Sequence, residues 1–231
     1  MKNPAISVIY FFIGLICIIL LNQSNFWPGF FAKALIIPVL IILFSVNLKP
    51  LKNRSHRFMF AGLLFSWAGD VVLEFSKNNG NIFIIGLACF LLAHIMYFTV
   101  FVITPGKNSI LSSRFYLLVP VIIYGIVLVS FLYDDLADMR LPVIAYAIVI
   151  LIMLAGAVNR IEKVKTESYY LVLTGAILFV ISDSVIAVNK FSHQFESSGV
   201  LIMSTYVIAQ YLIVTGYIFQ FRGIKPDQIS Q

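Results

Sequence analysis

Two aspartates stand inside apolar segments, where a charged side chain is unusual. Asp70 lies within residues 58–75 (FMFAGLLFSWAGDVVLEF) and Asp183 within residues 170–189 (YLVLTGAILFVISDSVIAVN). An aspartate in the middle of a membrane span costs roughly 3 kcal/mol on insertion scales, so it usually faces a protein-lined or hydrated cavity. Two such residues at similar depths indicate a chemical centre.

Paired carboxylates in a site of low dielectric constant suit acid–base chemistry. Two neighbouring carboxylates do not both ionise easily, so the pair retains a proton. The protonated member can act as a general acid while the other activates water, as in aspartic proteases and glycosidases. The pair therefore predicts chemistry at an ether or acetal-like bond, with the helices of Asp70 and Asp183 lying side by side.

Further polar side chains in or beside the apolar segments are candidates for binding or orienting a substrate. They are Lys33, Glu74, His94, Tyr97, Tyr206 and Gln210. Glu74 follows Asp70 by four residues and shares its helix face, as Gln210 does with Tyr206. Lys33 stands at the predicted start of the second segment, where its ammonium group would suit an outer-leaflet phosphate.

Other interpretations of these residues stay open at this point. Asp70 and Asp183 could be structural, pairing with Lys33 or with hydroxyl groups, or could relay protons in a transporter. His94, Tyr206 and Gln210 are also typical interhelical hydrogen-bonding residues. Glu74 could be solvated near the interface, and Lys33 could reach the headgroups without binding a substrate.

Metal and nucleophilic catalysis are weakly supported. His56 and His193 fall in predicted loops on opposite sides of the membrane, which leaves only His94 in a span and excludes a three-histidine zinc site within one chain. The sequence contains no G-x-S-x-G motif. We therefore expect neither a metal nor a cofactor.

The composition predicts an all-α, polytopic integral membrane protein. Hydrophobic residues make up 61% of the chain and charged residues 11%, which excludes an ordinary soluble domain. Eight segments are long and apolar enough to cross a bilayer: 6–21, 31–47, 58–75, 82–103, 115–132, 141–157, 169–189 and 199–219. With short connections between them, residues 1–231 are predicted to form a single transmembrane bundle of eight helices.

The basic residues predict the orientation. With the N-terminus inside, twelve Lys and Arg residues fall in inner segments and four in outer ones. Short loops rich in Lys and Arg stay cytoplasmic, so both termini are predicted to be inside. Topology thus accounts for the net charge of +6 without a nucleic-acid partner. We expect a multi-pass protein of the bacterial inner (cytoplasmic) membrane, surrounded by membrane lipids.

An internal duplication would relate the two aspartate helices. At an offset of 113 residues, Asp70 aligns with Asp183 and Gly62 with Gly175. Such an offset covers four predicted helices, so the pattern suggests a 4+4 parallel repeat about an axis along the membrane normal.

Four stretches of the chain resemble the YhhN family of membrane proteins. They are FSWAGDVVLEF around Asp70, FLLAHIMYFTVF around His94, GAILFVISDSVIAVNKF around Asp183 and TYVIAQYLIVTG around Gln210. Their order and spacing match the family pattern from end to end. One departure is Lys33-Ala34, where the family tends to have Lys-Pro; in this chain the proline comes later, at Pro38.

The resemblance implies a membrane-embedded lipid hydrolase of the lysoplasmalogenase type. Its substrate would be a lysophospholipid with an ether-linked chain, cleaved at the vinyl ether bond to a fatty aldehyde and a glycerophospho-choline or -ethanolamine. Asp70 and Asp183 would form the catalytic acid–base pair, with either residue as the acid. The alternative from a different class is a proton-coupled transporter or lipid-binding protein that uses the same carboxylates.

Overall fold

The computed structural model of the chain describes residues 3–21, 26–48, 53–76, 79–104 and 114–221. Within these ranges the chain forms eight α-helices and no strand. The helices are α1 (Pro4–Leu20), α2 (Phe26–Asn47), α3 (Arg54–Glu74), α4 (Gly80–Ile103), α5 (Val119–Leu132), α6 (Arg140–Val158), α7 (Thr166–Phe191) and α8 (Ser198–Gln220). Short 3₁₀ turns, Phe115–Leu118 and Ala137–Met139, precede α5 and α6. The all-α prediction is confirmed.

Helix α2 begins five residues earlier than predicted, at Phe26 rather than at residue 31. Pro28 lies in the first turn, where a fixed φ and a missing backbone N–H do not disturb a helix. As a result Lys33 lies about two turns inside α2 and not at its start.

Six helical segments of the described chain are long and apolar enough to cross a membrane, judged by length and composition. They are α2, α4, Phe115–Leu132, Ala137–Val158, α7 and α8. Helix α1 is a shorter apolar helix of 17 residues, and α3 carries four charged side chains. The count of eight spans therefore stays a prediction.

Large apolar side chains on the outside of the bundle agree with a lipid environment. Val8, Phe12, Phe31, Ile126 and Val127 have 58 to 68% of their surface exposed. Soluble monomers rarely expose contiguous apolar patches of more than a few hundred Å². These side chains are placed to contact lipid tails.

Helices adjacent in sequence form the two tightest pairs, α3 with α4 and α7 with α8. In the first pair the rings of Tyr97 and Phe90 lie against Gly62 and Gly69, so close that a Cβ on either glycine would be within 2.6 Å of a ring atom. Small residues let helices approach closely in a membrane. These contacts fix where α4 presents its polar side chains to α3.

The expected packing of α3 beside α7 is wrong. No extensive contact joins these two helices within the described residues; α3 packs against α2 and α4, whereas α7 packs against α5, α6 and α8. Close glycine contacts hold each helix to its neighbour in sequence, and side chains of α4 and α8 fill the space between α3 and α7.

Substituting Gly175 with alanine is expected to destabilise the protein. Its Cβ would lie 2.9 Å from the Ala209 carbonyl oxygen and 3.0 Å from the Ile213 nitrogen. These are backbone atoms of α8, so they cannot move aside by a change of rotamer as a side chain can. Overpacking of this kind typically costs about 1–3 kcal/mol. Thermal unfolding of the purified protein in detergent should show a lower Tm.

A matched control is Gly199→Ala in the first turn of α8. The nearest side-chain atom, Leu21 Cδ1, would be 3.5 Å from the new Cβ, an ordinary contact. We expect its Tm to equal that of the wild type. Equal Tm values for both variants would contradict the close packing of α7 on α8.

The orientation stays a prediction, and several of the basic residues on which it depends lie outside the described ranges. These are Lys2, Lys49, Lys52, Lys77, Lys107, Arg222 and Lys225.

Arg160, another of the predicted inner-loop cations, is fully buried just after α6. It donates hydrogen bonds of 3.0 Å to Ser168 Oγ and to Gln220 Oε1. Burial lowers the pKa of its guanidinium group to about 10, so it stays charged at neutral pH. It ties the α6–α7 connection to the end of α8.

Candidate active site

Asp70 is anchored in a hydrogen-bonded network that joins α3, α4 and α8. Its carboxylate is buried and accepts a 2.6 Å hydrogen bond from the Tyr206 hydroxyl. Gln210 Nε2 lies 3.4 Å from the same hydroxyl, and Gln210 Oε1 accepts a 2.9 Å bond from Tyr97. The Tyr97 oxygen is also 3.3 Å from Ser66 Oγ. Thus the structure brings three of the candidate residues, Tyr97, Tyr206 and Gln210, to Asp70.

Asp183 has a separate set of partners on α4 and α6. The Tyr146 hydroxyl donates a short hydrogen bond to Asp183 Oδ2, and His94 Nε2 lies 3.7 Å from the same oxygen. His94 Nδ1 is 2.6 Å from the Phe90 carbonyl oxygen, so Nδ1 carries a hydrogen and Nε2 of a neutral ring is an acceptor. A neutral His94 places no positive charge beside Asp183, which suits a carboxyl group that carries a proton.

An aromatic cluster of Phe90, His94, Phe179 and Tyr206 lies between the two carboxylates. The Phe179 ring centroid is 4.7 Å from that of His94 and 5.5 Å from that of Tyr206. Phe90 contacts both Phe179 and Tyr206. Asp70 and Asp183 are close enough to interact electrostatically, but each bonds to its own tyrosine and no hydrogen bond joins them in the described structure.

Two apolar cavities meet at Asp183. The first, which we call the α4–α7 cavity, lies between α3, α4, α6 and α7; the second, the α5–α7 cavity, lies between α5, α6 and α7. Val143, Tyr146, Asp183 and Ala187 line both. Asp70 lines neither, although Leu73, one turn further along α3, lines the first. Asp183 is therefore the one of the two acids that lines these cavities.

Lys33 and Glu74 form an ion pair on the α3 side of the site. Lys33 Nζ lies 3.0 Å from Glu74 Oε2, and both side chains are mostly buried. The two charges compensate one another, and both lie within electrostatic range of Asp70. Neither residue lines the two cavities beside Asp183.

Tyr146 is the residue that sequence reasoning missed. Its ring packs edge-on against His94, with centroids 5.5 Å apart, and its hydroxyl contacts Asp183. A signal was available: after Arg140, Tyr146 is the only side chain in α6 that carries a hydrogen-bonding group. A phenol in an apolar helix usually requires a partner for its hydroxyl.

The described side chains include no cluster of three His, Cys, Asp or Glu residues that could hold a metal ion. The groups beside the two aspartates are the hydroxyls of Tyr206 and Tyr146 and the imidazole of His94. Together, fold and site define a helical membrane protein with a buried acid pair beside apolar cavities.

The chain belongs to the YhhN family, whose model matches residues 29–217. It is therefore a multi-pass integral membrane protein, in agreement with the apolar helices.

Curated relatives of the chain carry the name lysoplasmalogenase. The chain is 35% identical over 191 residues to "Lysoplasmalogenase TMEM86A" of Bos taurus, an alignment that covers 78% of this chain and 73% of that protein. It is 31% identical over 186 residues to the Homo sapiens protein of the same name, with the same coverage. It is 26% identical over 170 residues to "Lysoplasmalogenase" of Mycobacterium bovis, covering 72% of this chain and 62% of that one. No solved structure matches the chain.

Proposed function

We propose that this protein hydrolyses the vinyl ether bond of lysoplasmalogens, releasing a fatty aldehyde and a glycerophospho-base. The observation that carries the proposal is the position of Asp183 at the meeting point of two apolar cavities, with a second buried carboxylate within electrostatic range. Cavities lined mainly by apolar side chains suit an aliphatic chain. Cleavage of a vinyl ether requires an acid. The names of the relatives support the same activity.

The proposed reaction begins with protonation of carbon. Asp183 donates a proton to the alkene carbon remote from the ether oxygen, which forms an oxocarbenium ion. Both contacts to the Asp183 carboxyl group engage Oδ2, so Oδ1 is free of hydrogen bonds to described residues and can face the substrate. A general acid must reach the atom that it protonates, which favours Asp183 over Asp70 for this role.

The remaining steps need a negative charge and water. The carboxylates stabilise the oxocarbenium ion, and water adds to the cationic carbon with loss of a proton to Asp183. The hemiacetal then collapses to the aldehyde and the free glycerol hydroxyl, so one water is consumed for each bond cleaved. Asp70, which accepts a hydrogen bond from Tyr206, contributes negative charge from the other side of the aromatic cluster.

The proposed setting is the bacterial inner membrane, with eight spans and both termini inside. In this arrangement the carboxylates lie nearer the outer ends of α3 and α7, and the headgroup of the lipid stays near the outer boundary. The 12 to 4 distribution of basic residues supports this orientation.

A panel of lysolipids tests the activity. Purified protein in detergent is given 1-alkenyl, 1-alkyl and 1-acyl glycerophosphocholine, and both fatty aldehyde and free fatty acid are measured. We expect aldehyde from the 1-alkenyl lipid and no product from the other two. Fatty acid from the 1-acyl lipid would indicate a different hydrolase. Proton flux in liposomes without any aldehyde would favour a transporter.

Replacing Tyr146 with phenylalanine should lower kcat about tenfold to hundredfold. The substitution keeps the ring on His94 and removes the hydroxyl that donates to Asp183. A hydrogen bond to a charged or acidic group is worth about 1.5–3 kcal/mol, which corresponds to this range. Initial rates of aldehyde release measure the effect.

Tyr217→Phe is the matched control, because this buried tyrosine bonds to Ser55 and has no contact with either aspartate. It loses a comparable hydrogen bond and should keep the wild-type kcat. Equal kcat values for the two variants would remove Tyr146 from the mechanism.

A further inference from the structure

The rim of the α4–α7 cavity carries a cation. Phe83 and Phe191 line this cavity, and their ring centroids are 5.8 Å apart. Lys190 Nζ lies 5.3 Å from the centroid of Phe83. Lys190 is exposed, and no carboxylate in the described parts of the chain forms an ion pair with it. Its positive charge is thus held at the edge of the cavity without compensation.

Lys190 and Asp183 occupy one face of α7. They are seven residues apart, which corresponds to about two helical turns and a rise of roughly 10 Å. Residues at this spacing point in nearly the same direction. The wall of the α4–α7 cavity therefore has an acid in its interior and a cation at its rim.

We propose that Lys190 binds the phosphate of the lipid headgroup while the vinyl ether lies beside Asp183. This inference rests on the proposed function, since it concerns the same substrate. In a lysoplasmalogen, the glycerol unit separates the phosphate from the vinyl ether oxygen by a short chain of single bonds. A phosphate at Lys190 places the vinyl ether about two turns deeper, beside Asp183.

Lys33, the cation that the sequence suggests for this role, is less suited to it. Its charge is compensated by Glu74 at 3.0 Å, and it does not line the cavity that reaches Asp183. A phosphate would have to compete with the Glu74 carboxylate for the ammonium group. Lys190 has no such competitor among the described residues.

The test compares two substrates that differ only in the phosphate headgroup: 1-alkenyl-glycerophosphocholine and 1-alkenylglycerol. For Lys190→Gln we expect KM for the phosphate-bearing lipid to rise about tenfold, as for loss of one charge-assisted hydrogen bond. The kcat should change little, and KM for 1-alkenylglycerol should stay at the wild-type value. Lys190→Arg should restore most of the affinity, because it keeps the charge.

Arg140→Gln is the matched control. Arg140 is also exposed at the same end of the bundle, but its guanidinium lies over the Tyr133 ring and its Nε donates to the Tyr133 carbonyl at 3.2 Å. We expect its KM values to equal those of the wild type. An equal, phosphate-dependent rise in KM for Arg140→Gln would overturn the assignment. So would an unchanged KM, or an equal loss on both substrates, for Lys190→Gln.

A binding measurement separates this inference from the proposed function. A 1-alkyl-glycerophosphocholine has the phosphate but no vinyl ether bond, so it reports binding without turnover. It should raise the Tm of the wild type by more than that of Lys190→Gln at the same lipid concentration. If the wild type releases aldehyde while both proteins are stabilised equally, only the role of Lys190 fails. If the wild type releases none from either alkenyl lipid, the activity and this inference fail together.

Discussion

Asp183→Asn is expected to lower kcat for lysoplasmalogen hydrolysis by about 10²- to 10⁴-fold, the contribution typical of a positioned general acid. Asparagine keeps the shape of the side chain and can still accept the hydrogen bond from Tyr146, but it has no acidic proton to donate. Because Asp183 is the only acid that lines both cavities, no other described carboxyl group can replace it at the substrate. Aldehyde release by the purified variant measures the loss.

The control for this experiment is Asp135→Asn, which removes an exposed carboxylate from the connection between α5 and α6. It should show the wild-type rate. Asp183→Asn should also insert into the membrane and purify with a normal Tm, since its shape and its hydrogen bond are kept. Activity of Asp183→Asn within a few-fold of the wild type would exclude it as the acid.

Asp70→Asn is expected to reduce kcat by about 10²-fold or more. Asp70 is buried and lines neither cavity, so it is not placed to contact a substrate there. Its effect on kcat must therefore come through its charge and through Tyr206. The neutral amide keeps the bond from Tyr206 but no longer stabilises a positive charge in the transition state. The rate should fall without a comparable rise in KM.

The double variant tests whether the two acids act as a unit. Residues that cooperate in one step show strongly non-additive effects, as in catalytic triads. We expect Asp70→Asn combined with Asp183→Asn to be little slower than Asp183→Asn alone. Fully multiplicative losses would indicate that the carboxylates act independently.

The polar network around Asp70 could be anticipated from the sequence, and its members could be named. Tyr97, Tyr206 and Gln210 stand in apolar helices, where polar groups must bond to one another because lipid offers no partner. The contact between Tyr97 and Gln210 also has the 113-residue separation of Asp70 and Asp183. The 4+4 repeat stays a prediction.

The arrangement of the helices in the bundle could not be predicted from the sequence. The helices of this chain are apolar on most faces, so periodicity does not reveal which face meets which neighbour. The placement of α3 beside α7 rests only on pairing Asp70 with Asp183, whereas in the structure side chains of α4 and α8 lie between these helices. The sequence places Lys33 at the start of α2, but Pro28 suits the first turn of a helix and α2 begins earlier, at Phe26.

The cavities and their outer rim arise only from packing. No sequence pattern indicates that Val143 of α6 and Ala187 of α7 leave open space beside Asp183. Lys190 carried no signal either, because a lysine in the last turn of a helix is favoured by the helix dipole alone. Only the position of Lys190 over Phe83, at the rim of the α4–α7 cavity, suggests that it also binds the substrate.

Hydrolysis of 1-alkenyl-glycerophosphocholine in D₂O tests the central claim, acid catalysis by Asp183 at a vinyl ether, most directly. The aldehyde is reduced as it forms and analysed by mass spectrometry. We expect one deuterium on the carbon next to the former carbonyl, delivered by the exchanged carboxyl group, and at least about 10²-fold slower product release by Asp183→Asn. Aldehyde without deuterium at that carbon, or undiminished release by Asp183→Asn, would contradict protonation by this residue.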